Sequence, residues 1–222
     1  TKNGFMVVDH FSLAGTQAVL EYYQDVFDEL QKHDLLKFMN GLFGDSLEYR
    51  ASVDWTLGFS EIFRQLKGYD ITPYLPALHN GVAIGGGGIF GGGFAKESFD
   101  GQGDKILNDY YSVLTYLFNK NHLEPMQKFL EGYGMNLRYQ TAYGKYMEQA
   151  STSMFVGIPE GEMMMIRNNF DNIRAQAGAV HVMGRKEYNA ELQAEMGKNH
   201  AQSWQNLLFF TQRSFAAGVN NI

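Results

Sequence analysis

Carboxylates placed where short apolar runs end are the residues of this chain best suited to chemistry. Phe155-Val156-Gly157-Ile158 leads into Pro159-Glu160-Gly161-Glu162, so an apolar segment delivers two acids two residues apart on a Gly/Pro-broken loop. Asp9 and His10 follow Phe5-Met6-Val7-Val8 in the same manner, Asp45 and Glu48 follow Leu36–Phe43, and Glu191 follows Glu187–Ala190. Met135–Tyr139 delivers Arg138 and Gln140, with Tyr143 just beyond. Two carboxylates lining one cleft can cleave a glycosidic bond, one as acid and the other as base or nucleophile. A single acid at a strand end is better explained by attraction to the dipole of the next helix. Glu48, Glu160 and Glu191 taken together point instead to a shared site. The oxygen donors Asp45, Glu160 and Glu162 would equally suit a hard cation such as calcium.

Other chemistries find less support. The six histidines form no H-E-x-x-H pair, and His181 falls on an apolar helical stretch, where a core role is expected. No G-x-S-x-G elbow anchors an acyl-transfer triad. A G-x-G-x-x-G match at Gly86, Gly88 and Gly91 lies inside the glycine-rich stretch Gly81–Gly103, without the helix start a dinucleotide loop needs. That stretch reads as a flexible loop near the site. A net charge of −6 and the lack of any basic run argue against a nucleic-acid surface. With no cysteine there is neither disulfide nor thiolate metal site. No stretch approaches the roughly 18 apolar residues of a membrane span. An aromatic content of 14% suits a bulky core or a sugar-binding cleft.

The elements that must position these groups alternate. Apolar positions at helical spacing predict helices over Thr16–Leu36, from Trp55 through Leu66, over Asp104–Tyr133 with a break near Pro125, around Lys145–Ala150, over Ile166–Met183 and over Trp204–Phe215. Pro73 and Pro76 keep Thr72–Leu78 short. Between the helices fall strands at Phe5–Val8, Leu36–Phe43, Met135–Tyr139, Ser153–Ile158, Glu187–Ala190 and Val219–Ile222. This order predicts an α/β fold, a partial (β/α)8 TIM-barrel-like catalytic domain with about six of the eight strands over residues 1–222. Thr1 leads almost directly into a strand and Val219–Ile222 opens one, so the chain reads as an internal piece of a larger protein, with exposed sheet edges.

At several of these points the chain resembles glycoside hydrolase family 106, the α-L-rhamnosidases. Gly44-Asp45-Ser46-Leu47-Glu48, Trp55-Thr56 and Gly68-Tyr69-Asp70-Ile71-Thr72-Pro73-Tyr74-Leu75-Pro76-Ala77-Leu78 fit its pattern. So do Arg138-Tyr139-Gln140-Thr141-Ala142-Tyr143-Gly144 and Ile158-Pro159-Glu160-Gly161-Glu162. Ala179–Gly184 leading to Ala190-Glu191, and Phe215-Ala216-Ala217-Gly218-Val219-Asn220, continue it in order. Gly81–Gly103 and Glu191–His200 depart from it.

The resemblance implies a barrel-type catalytic domain in a multidomain, exported enzyme, periplasmic or extracellular. Such an enzyme removes terminal α-L-rhamnose from plant or microbial polysaccharides and glycosides by inversion, helped by calcium. Carried over by position, Glu48 resembles the catalytic acid and Glu160 the base, with Glu162 close enough in sequence to exchange roles with it. Glu162 and Asp45 stand as metal ligands. Asp9, His10, Arg138, Gln140, Tyr143 and Glu191 stand as substrate-binding residues. A relative that binds carbohydrate in the same cleft without catalysis is the alternative.

Overall fold

The computed structural model describes residues 7–47, 49, 51, 53–79, 99–141, 145–163, 169–194 and 201–222. Glu48, Tyr143, most of Gly81–Gly103, part of Glu191–His200 and the residues Phe5 and Met6 of the first expected strand lie outside them.

Four strands form one all-parallel sheet in chain order: β1 (Gly41–Gly44), β2 (Asn136–Gln140), β3 (Ile158–Glu162) and β4 (Asn189–Glu191). A parallel bridge between Asn189 and Asn221 starts a further pairing beyond β4. The sheet is thus barrel-like and α/β as the alternation predicts, with four strands among the described residues in place of six. Val7 and Val8 carry no strand and are 55% and 39% exposed. Asp9 turns the chain there instead: its Oδ1 accepts from the Phe11 N–H at 3.0 Å and its Oδ2 from the Thr56 hydroxyl at 2.7 Å. Leu36–Phe43 divides into a 3-10 turn, Leu36–Phe38, and β1. β1 begins at Gly41 because the two backbones meet closely, and a Cβ there would stand 2.1 Å from the Asn136 carbonyl oxygen.

Helices cover the sheet. α1 (Leu13–Lys32) starts where the Ser12 hydroxyl accepts from the Gly15 N–H, and buries Thr16 and Phe27. α2 (Phe59–Lys67) buries Phe59 and Phe63, and α3 (Leu75–His79) follows a 3-10 turn at Thr72–Tyr74. α4 (Gly103–Phe118) and α5 (Glu124–Glu131) are joined by a π-helical turn, Asn119–Leu123. The break expected at Pro125 is absorbed there. The Glu124 N–H reaches back five residues to the Asn119 carbonyl, widening the turn just ahead of the proline that lacks an N–H. α6 (Gln149–Ser153), α7 (Phe170–Val182) and α8 (Trp204–Ala216) complete the set. α7 turns Ile173, Ala177 and Val180 into the core, which leaves His181 on the outer face, exposed, against the expected core role.

The main core packs Phe27, Phe59, Phe63, Leu114, Phe118, Leu130 and Leu137 between sheet and helices. A smaller one gathers Met163, Ile173, Val180, Tyr188, Ala190 and Val219 under β3 and β4. No helix of the described residues is long and apolar enough to cross a membrane.

Candidate active site

β3 sits further along the chain than its apolar run suggests. α6 ends at Ser153 and pairing begins only at Ile158, so Glu160 and Glu162 belong to the strand and not to a loop after it. Residues two apart on a strand share a face, so both carboxylates lie on the same side of the sheet. Register then decides their neighbours. Gln140 pairs with Glu160, Glu160 with Asn189, and Glu162 with Glu191, while Phe43 pairs with Arg138 on the β1 side. The opposite face carries Leu137, Tyr139 and Ala190, all buried.

The polar face is tied together laterally. Arg138 Nε donates to Glu160 Oε2, while the Gln140 amide donates to Glu160 Oε1 at 3.1 Å and to Glu191 Oε2 at 2.8 Å. A single amide nitrogen therefore holds carboxylates from two neighbouring strands. With its amide oxygen toward β2, Asn189 also accepts from Arg138 Nε at 3.1 Å and donates to Glu187 at 3.1 Å. Glu160 is 1% exposed and Glu162 3%, whereas Glu191 is exposed and the Arg138 side chain is 40% exposed. A buried carboxylate is tolerated only when paired and hydrogen-bonded, and the guanidinium and amide supply both.

Beneath β3 a second polar layer fixes the strand. The Tyr188 hydroxyl donates to Gln176 Oε1 at 2.7 Å, and Gln176 Nε2 lies 3.4 Å from both the Glu160 carbonyl and the Thr141 hydroxyl. Gly161 leaves room for this layer: a Cβ there would stand 2.8 Å from Met163 Cε, 2.9 Å from Gln176 Oε1 and 3.0 Å from the Tyr188 hydroxyl. Gly161→Ala is expected to cost roughly 1–3 kcal/mol by overpacking. Urea unfolding checks this, and an unchanged midpoint would show that the layer yields freely.

The sequence-derived site residues divide. Arg138, Gln140, Glu160 and Glu191 come together in one bonded row, with Glu162 on the same face. Glu48 and Tyr143 lie outside the described residues. Asp45 is exposed just after β1, where its charge adds to burial in raising the Tyr139 phenol above its usual range. Asp9 holds the turn into α1. His10 stacks on Tyr49 at 5.9 Å and meets His122 edge-on at 4.8 Å. Burial lowers the His10 imidazole, with the Lys145 charge adding to it and the Val8 backbone and Asp9 opposing it. Asn189, Gln176 and Tyr188 escaped the sequence reading, because nothing local marks a residue that acts through a partner on another strand.

Among the described residues no group of three or more histidines and acids lies close enough to hold one ion, and a calcium ion takes six to eight oxygens.

A family model described as alpha-L-rhamnosidase, glycoside hydrolase family 106, matches residues 2–222 of the chain. No curated protein matches it. Among solved structures the chain is similar to a rhamnosidase from Novosphingobium sp. PP1Y, with a TM-score of 0.68 over 97% of this chain at 19% identity. The chain spans 20% of that protein's length. At this identity the likeness carries the fold, a part of a barrel-like α/β domain.

Proposed function

The chain belongs to the glycoside hydrolase family 106 α-L-rhamnosidases, and from that premise we propose that it forms part of a catalytic domain that hydrolyses terminal α-L-rhamnosides with inversion. The observation that supports this reading most is the Gln140 amide shared by Glu160 and Glu191 on the polar face of the sheet. It fixes the orientation of Glu160 beside Glu191, so that the base is held in place next to a group that binds substrate.

In this proposal Glu48 protonates the glycosidic oxygen as the bond from C1 breaks. Glu160, held by Arg138, takes a proton from the water that attacks C1 from the opposite face, and the product sugar leaves as the β-anomer. Arg138 and Gln140 keep the base oriented, and Asp9, His10, Tyr143 and Glu191 bind substrate. A second assignment gives the base role to Glu191. Its favouring observation is exposure: Glu191 is open to solvent and still held by Gln140, whereas Glu160 is 1% exposed and occupied by Arg138 and Gln140. Calcium enters only as the ion the family resemblance implies, with Asp45 and Glu162 as its ligands. The flanking domains, export from the cytoplasm and a polysaccharide or glycoside substrate belong to the same proposal.

The test follows the anomers released from an aryl α-L-rhamnoside by NMR during turnover, using the full-length protein. First-formed β-L-rhamnose is expected, with activity that falls on chelation and returns with added calcium. A first-formed α-anomer overturns inversion. Binding of rhamnose without turnover would make the protein a carbohydrate-binding relative.

A further inference from the structure

The bonded row on the sheet has an apolar end. Phe43 on β1 lies in register with Arg138, so its side chain shares the face that carries Glu160. The Arg138 guanidinium carbon stands 5.2 Å from the Phe43 ring centroid, and Arg138 Nε continues to Glu160. Three strands thus present an aromatic ring, a guanidinium and a carboxylate in succession. Phe43 is 52% exposed, although Leu137 and Tyr139 on the other face of the neighbouring strand are buried at 1% and 5%. Its ring is not spent on the core. A large aromatic left open beside charged groups is the informative kind of exposure.

We propose that Phe43 is a sugar-binding platform that receives the C–H face of the bound sugar beside the carboxylates. The inference rests on the rhamnoside reading above and adds the group that recognises the apolar part of the substrate. A 6-deoxy sugar has a methyl on C5 at one edge and hydroxyls at the other. The row has the same order of polarity, from the Phe43 ring to the oxygens of Glu160 and Glu191. Sugar C–H groups carry partial positive charge, and the face of an aromatic ring carries negative charge, so the contact is electrostatic as well as apolar. Arg138 serves both ends, because its guanidinium lies against the ring while its Nε orients Glu160.

The experiment measures KM and kcat of the full-length protein on an aryl α-L-rhamnoside and on the matching α-L-mannoside, which carries a hydroxyl on C6. The variants are Phe43→Trp, Phe43→Leu and Phe43→Ala. Phe43→Ala is expected to raise KM for the rhamnoside about tenfold or more, in line with losing one apolar pocket contact. Phe43→Trp retains the affinity, and the preference for rhamnoside over mannoside shrinks in the Leu and Ala variants. Phe43→Leu keeps apolar bulk without a ring face, so it decides the matter even where the Ala variant is poorly folded. A rhamnoside KM in Phe43→Leu equal to that of the wild type overturns the platform alone. A wild-type protein that neither binds nor cleaves the rhamnoside overturns the functional reading, and the platform with it.

Discussion

Glu48→Gln and Glu160→Gln are each expected to lower kcat on an aryl α-L-rhamnoside by about 10²–10⁴-fold, the usual contribution of a positioned general acid or base. Glutamine preserves shape but neither gives nor takes the proton, and at position 160, where both oxygens accept, its NH2 faces one of the two donors. At Glu160 the exchange also removes the partner of Arg138, whose side chain is 40% exposed and so rehydrates at small cost. Urea unfolding of each variant alongside the assay separates loss of chemistry from loss of folding. Glu191→Gln measured alongside assigns the base. If Glu160→Gln keeps full activity and Glu191→Gln loses it, the base is the exposed glutamate, and Glu160 becomes the buried anchor of Arg138. Because Gln140 bonds to both carboxylates, the two variants should not be additive in the double mutant.

Acid is expected to destabilise the protein through His122. Its side chain comes off the π turn into the core, 4% exposed, with Nδ1 3.0 Å from the Thr16 hydroxyl. The ring stacks on Phe118 at 5.4 Å and faces Tyr139 edge-on at 5.9 Å. Burial first, and the nearby His10 second, lower the imidazole from 6.5 to about 3. The folded protein keeps His122 neutral while the unfolded chain protonates it near 6.5, so between those values the unfolded state binds more protons. Stability is then complete above the unfolded value and declines as pH falls towards the folded one. Each pH unit in that window is worth about 1.4 kcal/mol, so about 2–3 kcal/mol should be lost between pH 6.5 and 4.5. His10, lowered in the same direction, adds to the slope. Urea unfolding across this range checks it against His122→Asn, which retains a polar atom for Thr16 and cannot take up the proton. Parallel pH profiles for the two proteins would remove His122 as the cause.

Several features were already written in the sequence. Helical periodicity located α1, α7 and α8 to within four residues, because each repeats its apolar contacts over three turns or more, while it ran α4, the π turn and α5 together as one stretch broken near Pro125. The strand–helix alternation carried the parallel α/β class, and ordered motifs from Gly44 to Asn220 carried the family. Glu160 and Glu191 stood out by type alone as acids where apolar runs end. What tertiary structure decided was partnership. Strands of three to five residues hold too little periodicity to fix their own limits, so Ile158–Glu162 became a strand through pairing with Asn189–Glu191 and with Arg138–Gln140. A one-residue change in that register would send Glu160 to the helix side of the sheet. His181 and His122 differ in burial for the same reason. His181 has apolar neighbours in sequence and none of their burial, while His122 lies among charged and polar residues in sequence and is enclosed by Thr16, Phe118 and Tyr139. Burial and hydrogen bonding depend on which distant residues arrive, and those contacts exist only once the sheet has closed against its helices.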